Sequence, residues 1–132
     1  MKAIILAAGI GSRMKRYTAS LPKGMLNINE KTIIERQIQT LYSTGINNIV
    51  IVTGYKSEMI NYKGVKYYHN NNYQKTNMIE SLMYAESEFD QDIIVTYADL
   101  IYTKDLIRKL IESPHTVAVC VDPDWKNYWY HR

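Results

Sequence analysis

Cysteine is almost absent from this sequence, since Cys120 is the one cysteine among its 132 residues. A single cysteine excludes an internal disulfide framework. Histidine is scarce as well, and His69, His115 and His131 lack metal-ligand spacing with one another and with Cys120. We therefore expect no functional constellation of histidine and cysteine, and we interpret Cys120 as a small core residue on a predicted strand.

Long apolar runs are also absent. The first apolar stretch, Ala3 to Ala8, is far too short to cross a bilayer, and it lacks the cleavage pattern of a secretory signal. The formal net charge of +3, from 16 cationic and 13 anionic residues, is not by itself typical of nucleic-acid binding. With 46% hydrophobic residues, the chain suits one globular domain over residues 1–132. We expect a soluble cytoplasmic protein that binds neither membranes nor nucleic acid.

Short β-branched runs alternate with segments of helical periodicity, and this alternation predicts an α/β fold in which helices cover a sheet. Five strands are predicted, at residues 2–6, 49–53, 65–68, 93–97 and 116–121. Three helices are predicted, at residues 32–44, 77–88 and 103–111, with Met78, Leu82, Met83 and Ala85 of the second helix facing inward. Because strands that are apolar throughout are buried on both faces, we expect a mostly parallel sheet.

The segments that follow the predicted strands share a polar or glycine-rich character. In a parallel sheet, ligands bind beyond the carboxyl ends of the strands, where the loops converge. In chain order, these segments are AAGIGSR, Gly54-Tyr55, the Asn-rich loop that leads to Thr76-Asn77, Ala98-Asp99, and Asp122 with Asp124. Glycines, amides, cations and carboxylates therefore meet at one edge of the sheet, and this mixture suits a nucleotide with a metal ion.

The loop after the first strand has the composition of an anion-binding loop. Gly9 and Gly11 permit backbone conformations that a side chain forbids, so that successive N–H groups can surround anionic oxygens. Arg13 adds a forked and permanently charged donor, whereas Lys15 and Arg16 are interpreted as solvated flanking residues. A plain turn with solvated cations is the alternative that this loop leaves open when it is considered alone.

Two common phosphate-binding motifs do not match this loop. A dinucleotide fingerprint requires a third glycine where Met14 stands, and it usually requires an acidic residue at the end of the second strand, which is missing here. A P-loop requires Lys and then Ser or Thr after its last glycine, whereas Ser12 and Arg13 follow Gly11. Both motifs are therefore excluded.

The segments LAAGIGSRM, LPKGML and VTGYKSE occur in this order along the chain. Together they resemble the N-terminal half of the nucleotidyltransferases that join a nucleoside triphosphate to a phosphorylated small molecule, in which L-A-A-G-x-G-[ST]-R-[ML] precedes P-K. The downstream YQKTNMIESL and YAD resemble the phosphocholine cytidylyltransferase branch of that family more than its sugar-1-phosphate branch.

The resemblance implies a three-layer Rossmann-like (GT-A-like) fold with helices on both faces of a mostly parallel sheet. It also implies transfer of CMP from CTP to a small phosphorylated acceptor, with release of pyrophosphate. Arg13 and Lys23 are then the catalytic cations, and Asp99 holds Mg²⁺. The nucleotide-binding residues that the resemblance implies are Leu6, Ala7, Ala8, Gly9, Gly11, Ser12, Arg13, Lys23, Gly54, Tyr55, Asn77 and Ser81.

Asp99 and Lys23 each have a plain structural alternative. Asp99 would otherwise cap the helix that begins near Thr103, and Lys23 would otherwise be a plain surface lysine. UTP or dTTP with a sugar 1-phosphate is the alternative substrate pair, and a catalytically silent nucleotide-binding module is the alternative function.

The acceptor is the least constrained part of the interpretation. Aromatic rings near carboxylates suit an ammonium group, which favours phosphocholine or an aminoalkyl phosphonate. The candidate acceptor residues are Tyr102, Asp122, Asp124, Trp125 and Trp129. The alternative is a closing segment that packs both tryptophans on the sheet.

Members of this family are usually considerably longer than this chain. The resemblance implies a C-terminal portion that completes the sheet and supplies a second metal carboxylate, so we expect this chain to be a fragment. A fragment of this kind would keep nucleotide binding while turnover falls. Its uncovered sheet edge would favour a homodimer.

Overall fold

The computed structural model describes residues 1–130, apart from the side chains of Lys15 and Tyr128. The expectations for the Lys15 side chain and for His131 lie outside the described residues. The strands are β1 (Lys2–Ala7), β2 (Asn27–Ile28), β3 (Lys31–Thr32), β4 (Asn48–Thr53), β5 (Val65–His69) and β6 (Ile93–Tyr97). The α-helices are α1 (Ile33–Ser43), α2 (Met78–Met83), α3 (Lys104–Ile111) and α4 (Trp125–Trp129), with short 3-10 helices at Ser12–Tyr17, Lys23–Met25, Ser57–Met59 and Glu86–Glu88.

The main sheet has four parallel strands in the order β5-β4-β1-β6. Strand β1 lies in the interior of the sheet, where Lys2 is opposite Asn48 on one side and Ile93 on the other. These four strands confirm the first four predicted ones and the parallel sheet. Strands β5 and β6 form its edges, and a homodimer through an edge stays a prediction.

Helices cover both faces of the sheet. On one face, alternate β1 residues such as Ala3 and Ile5 pack with Ile34 of α1 and Ile107 of α3. On the other face, β1 and β4 residues such as Ile4 and Val50 pack with Ala85, in the segment that follows α2. This three-layer arrangement confirms the Rossmann-like α/β fold, and it leaves the carboxyl ends of the strands open to the loops.

The helix boundaries follow from capping side chains. Thr32 Oγ1 accepts a hydrogen bond from Glu35 N at 3.0 Å at the start of α1, and Gly45 follows the helix at a φ of 86°. Thr103 Oγ1 accepts from Leu106 N at the start of α3. The helices predicted at residues 32–44 and 103–111 are therefore confirmed within about a residue.

Helix α2 is shorter than the predicted helix at residues 77–88. The α-helix ends at Met83, and a 3-10 helix, Glu86–Glu88, completes the segment. Ser81 and Ala85, four residues apart, are buried in this segment, whereas Met78 and Met83 lie off that face and are exposed. The prediction that these two methionines face inward is wrong.

The fifth predicted strand is absent, because residues 116–121 have no strand structure. Val117, Val119 and Val121 are 77–80% exposed, and Cys120 is exposed as well. The alternating valines favour an extended chain, but a strand forms only where a neighbouring strand accepts its hydrogen bonds. The prediction of a strand and of a core position for Cys120 is therefore wrong. Within residues 1–130, no helix has the length and hydropathy needed to span a membrane.

Candidate functional site

A cavity of about 360 Å³ lies at the carboxyl ends of β1 and β6. Four segments of the chain line it: the glycine-rich loop, the 3-10 helix that begins at Lys23, the start of α2 and the turn after β6. The predicted site residues that line it are Leu6, Ala7, Ala8, Gly9, Gly11, Arg13, Lys23, Asn77, Ser81 and Asp99. The cavity therefore combines glycine backbone, two cations, an amide, a hydroxyl and a carboxylate.

The glycine-rich loop leaves β1 after Ala7 and turns at Gly11. Gly11 has a φ of 69°, and its carbonyl accepts hydrogen bonds from Met14 N at 3.0 Å and from Thr18 Oγ1 at 2.9 Å. The positive φ is the conformation that glycine adopts without strain. A Cβ on Gly9 would meet nothing within 4 Å, so the backbone at Gly9 is open to a ligand that enters the cavity.

Tyr55 and Gly54 support the glycine-rich loop from behind. Tyr55 N donates to Ala8 O at 3.0 Å, and the Tyr55 hydroxyl lies 3.1 Å from Thr18 O. A Cβ on Gly54 would lie 2.7 Å from the Tyr73 Cβ and 2.8 Å from Ala8 O, so that only glycine fits there. Neither residue lines the cavity, and Ser12 does not line it either. The structure thus places Gly54 and Tyr55 in a supporting position.

Lys23 and Asp99 both line the cavity and form an ion pair there. Lys23 Nζ donates to Asp99 Oδ2 at 2.5 Å, and the two side chains are 35% and 37% exposed. Lys23 begins the 3-10 helix Lys23–Met25, directly after Pro22. Because both side chains are partly exposed, they remain accessible to a ligand.

Asp99 lies in the turn that follows β6. Leu100 N donates to Tyr97 O at 3.2 Å, which closes a four-residue turn with Asp99 as its third residue. The N-terminal cap of α3 is Thr103. Asp99 therefore does not cap α3, and this alternative for its carboxylate is wrong.

Asn77 begins α2 with a reciprocal capping box. Asn77 Oδ1 accepts from Glu80 N at 3.0 Å, and Glu80 Oε2 accepts from Asn77 N at 2.8 Å. Behind it, the fully buried Asn70 donates through Nδ2 to Thr76 Oγ1 at 2.7 Å and to Ser81 Oγ at 2.9 Å. These contacts fix the loop between β5 and α2, and with it the Asn77 and Ser81 side of the cavity.

Several cavity residues were not predicted. They are Met14, Gly24, Tyr73, Thr76, Met78, Tyr97 and Ala98. Each stands within four residues of a predicted site residue, and Tyr73 follows the asparagine run of residues 70–72. Proximity to a predicted site residue was the available signal, because nothing in their chemistry separates them from surface residues.

The candidate acceptor residues lie away from the cavity lining. Burial raises the pKa of Tyr102 to about 12, and this partly buried residue packs against the core cluster that contains Ile34 and Ile107. Asp122 Oδ1 accepts from Asp124 N at 2.9 Å just before α4. Trp125 and Trp129 form an edge-to-face pair with centroids 6.2 Å apart, and at 49% and 65% exposure they are not packed into a core. The alternative of two tryptophans packed on the sheet is wrong.

The donor atoms in the cavity fit a magnesium ion that is held jointly with phosphates. The described residues contain no group of three or more His, Cys, Asp or Glu side chains arranged for a metal. Among the described residues that line the cavity, Asp99 provides the one carboxylate. Mg²⁺ commonly takes one or two protein carboxylates and completes its coordination with waters and substrate phosphates.

Comparison with known proteins agrees with this geometry. A family model described as the MobA-like NTP transferase domain matches residues 3–131. The chain is 38% identical, over a 143-residue alignment that covers 100% of it, to the CTP:phosphoglutamine cytidylyltransferase of Campylobacter jejuni. It is 34% identical over 134 aligned residues, which cover 98% of the chain, to the choline-phosphate cytidylyltransferase of Streptococcus pneumoniae.

A solved structure shows the same fold. The CTP:phosphocholine cytidylyltransferase of Streptococcus pneumoniae superposes with a TM-score of 0.70 at 36% identity, over 79% of this chain and 49% of that one. The chain spans 56% and 58% of the lengths of the Campylobacter and Streptococcus relatives. The alignment with the Campylobacter relative covers the whole of this chain, and so it includes the positions of the glycine-rich loop, Lys23 and Asp99.

Proposed function

The chain belongs to the MobA-like NTP transferase domain family, and from this premise we propose that it transfers CMP from CTP to a small phosphorylated or phosphonate acceptor. The proposed reaction releases pyrophosphate and requires Mg²⁺. Phosphocholine, phosphoglutamine and an aminoalkyl phosphonate are the proposed acceptor types. Cytidylyl transfer is favoured because both relatives described above, at 38% and 34% identity, are named for it.

The observation that carries the proposal is the position of Lys23 and Asp99 in one cavity with the glycine-rich loop. A triphosphate needs backbone N–H groups and cations around its oxygens, and a magnesium ion needs a carboxylate beside those oxygens. The loop from Ala8 to Gly11, the two cations and Asp99 supply these groups within about 360 Å³.

In the proposed reaction, an acceptor phosphate oxygen attacks the α phosphorus in line and the bond to the β-phosphate oxygen breaks. Phosphoryl transfer of this type depends on positioning and on stabilisation of charge on the oxygens. Lys23 would stabilise the α-phosphate oxygens, and Arg13 those of the departing pyrophosphate. Because an acceptor phosphate is already ionised near neutral pH, the proposed reaction needs no general base.

Asp99 would hold the magnesium ion together with phosphate oxygens. The bound ion would neutralise phosphate charge during the transfer. Lys23, which pairs with Asp99 in this structure, would then turn to the α phosphate. The residues Asn77 and Ser81, which also line the cavity, would contact the nucleoside.

The test is a matrix of CTP, UTP, dTTP and GTP against phosphocholine, phosphoglutamine, 2-aminoethylphosphonate and glucose 1-phosphate, read as pyrophosphate release with and without Mg²⁺. The proposal predicts release with CTP and with phosphocholine, phosphoglutamine or 2-aminoethylphosphonate as the acceptor. Lys31→Ala is the matched control for Lys23→Ala, because Lys31 is exposed and donates to Gln39 rather than to a cavity residue.

Three results would change the conclusion. Release with UTP or dTTP and glucose 1-phosphate would replace the proposal with a sugar-1-phosphate nucleotidyltransferase. Binding of CTP without release for any acceptor would indicate a silent nucleotide-binding module. Equal activity in Lys23→Ala and Lys31→Ala would remove Lys23 from the mechanism.

A further inference from the structure

Gln37 is a polar residue in the buried stripe of α1, next to Ile34 and Ile38. It is 1% exposed and does not line the cavity. We propose that Gln37 is a positioning residue that holds Asp99 opposite Lys23 and thereby sets the affinity of the site for magnesium with nucleotide. The metal part of this inference rests on the function proposed above, whereas the positioning part rests on the geometry alone.

The amide of Gln37 holds both ends of the turn that carries Asp99. Gln37 Nε2 donates to Tyr97 O at 2.8 Å and to Leu100 O at 2.6 Å. Both partners are carbonyl oxygens, which only accept, so the amide nitrogen must face them and both of its N–H groups are used. Tyr97 and Leu100 are the first and fourth residues of the turn, and Asp99 lies between them. The side chain of Gln37 therefore fixes the backbone from which the Asp99 carboxylate projects.

This arrangement leaves the other amide atom buried without a partner. Gln37 Oε1 has no hydrogen-bond partner among the described residues. Burial of an unpaired polar atom is unfavourable, whereas an apolar side chain of similar length would fill the same space without that cost. The amide is consequently better explained by what its N–H groups hold than by packing.

The same turn of α1 also contacts the segment that carries Lys23. A Cβ on Gly24 would lie 2.7 Å from Ile34 Cδ1 and 2.9 Å from Ala98 O. Ile34 and Gln37 are three residues apart and lie on one face of the helix. Helix α1 thus sets the positions of both partners of the ion pair, Lys23 through its neighbour Gly24 and Asp99 through the turn.

The test compares Gln37→Met, which keeps the length of the side chain but has no donor, with Leu41→Ala. Leu41 is 0% exposed in the same helix and belongs to the core, so its truncation lowers stability without touching the turn. The first measurement is amide hydrogen exchange without ligand. We expect Gln37→Met to speed exchange at Ala98 and Leu100 selectively, relative to β4, whereas Leu41→Ala has no such selective effect at the turn.

The second measurement is calorimetric binding of CTP, with Mg²⁺ and with a chelator in its place. We expect Gln37→Met to weaken magnesium-dependent binding roughly 10–100-fold, as is usual when the residue that orients a metal ligand is lost, and to cause no comparable loss of metal-free binding. Unchanged exchange at Ala98 and Leu100, or equal losses with and without magnesium, would overturn the inference.

The two proposals fail in different ways. A wild-type protein that binds no CTP would refute the proposed function, but ligand-free exchange would still decide whether Gln37 holds the turn. If Gln37→Met does not fold, Gln37→Asn replaces it, because asparagine keeps the amide but is too short to reach both carbonyls. Protection at Ala98 and Leu100 equal to that of the wild type in Gln37→Asn would also overturn the inference.

Discussion

Lys23 Nζ and Asp99 Oδ2 lie 2.5 Å apart, although the two residues are separated by 76 positions in the sequence. Lys23 is predicted to contact the α phosphate and Asp99 to bind the metal ion. In this structure the two side chains form an ion pair with each other. A nucleotide and a metal ion that enter together can replace both halves of the ion pair at once. A nucleotide alone would pair with Lys23 and leave Asp99 without a counter-charge, and a metal ion alone would do the reverse.

Replacement of either residue should abolish turnover without unfolding the protein. Lys23→Ala removes a cation beside the α phosphate, and Asp99→Asn removes the carboxylate beside the metal ion. Both side chains are more than one-third exposed, so the loss of their ion pair should lower the unfolding free energy by at most about 1 kcal/mol. Pyrophosphate release and urea unfolding measure the two effects, and near-normal turnover in either variant would remove that residue from the mechanism.

Asp99→Asn should also change how nucleotide binds when no metal is present. The substitution releases Lys23 from its carboxylate partner, so metal-free CTP should bind about two- to fivefold more tightly than in the wild type, which is the scale of a partly exposed ion pair. Calorimetric titration in a chelator measures this. Weaker metal-free binding in Asp99→Asn would show that Lys23 does not face the phosphates.

Gly24 and Gly9 offer a matched pair of glycine-to-alanine substitutions. Gly24→Ala places a Cβ within 2.9 Å of Ala98 O and 2.7 Å of Ile34, so the unfolding free energy should fall by about 1–3 kcal/mol. Gly9→Ala meets no atom within 4 Å, so stability should change by less than about 0.5 kcal/mol while CTP affinity falls. Urea unfolding and CTP titration distinguish the two, and unchanged CTP affinity in Gly9→Ala would contradict a backbone contact there.

The two residues of the α2 capping box, Asn77 and Glu80, allow the effect of Asn77 on stability to be distinguished from its effect on CTP binding. Asn77→Ala should lower the unfolding free energy by about 1 kcal/mol, and Glu80→Ala should destabilise the same helix end from its other half. Only Asn77 lines the cavity, so only Asn77→Ala should also weaken CTP binding beyond the loss shared by both variants. Equal CTP affinities in the two variants would show that Asn77 caps the helix and does not contact CTP.

Protonation of Glu88 should contribute to the loss of stability below pH 4.5. Hydrogen bonds from Lys2, Lys66 and Tyr68 lower the pKa of Glu88 from 4.5 to about 2. A carboxylate whose pKa is lower in the folded state stabilises the protein above pH 4.5, and this contribution is lost as the pH falls toward 2. Urea unfolding between pH 6 and pH 2 should show a steeper loss in the wild type than in Glu88→Gln. Glu86→Gln, at an exposed neighbouring position, is the control and should follow the wild type.

The first four strands and the ends of α1 and α3 could be predicted because their signals are local. A buried parallel strand appears as a β-branched run, and Thr32, Gly45 and Thr103 mark helix ends through contacts a few residues away. The place of the cavity could be predicted from these strands as well, because a parallel sheet brings their carboxyl ends to one edge. The strand predicted at residues 116–121 failed because a local pattern cannot show whether a neighbouring strand is available.

The contacts of Gln37 and Tyr55 could not be predicted from the sequence, for a different reason. A glutamine in an apolar stripe gives no sign of which carbonyls it meets, and those of Gln37 lie 60 and 63 positions away. Tyr55 follows β4 like a ligand contact would, yet its hydroxyl lies behind the glycine-rich loop. Long-range contacts of single polar side chains leave no periodic trace.

The interior place of β1 also determines when the cavity can exist during folding. The glycine-rich loop belongs to the first strand of the chain, but β1 acquires its neighbours only from residues 48–53 and 93–97. Closure of such long loops is slow relative to local helix formation. The cavity is therefore complete only once β6 has joined β1, and a ligand that spans Gly9 and Asp99 binds only chains in which β6 has docked. Such a ligand would stabilise the finished fold by mass action.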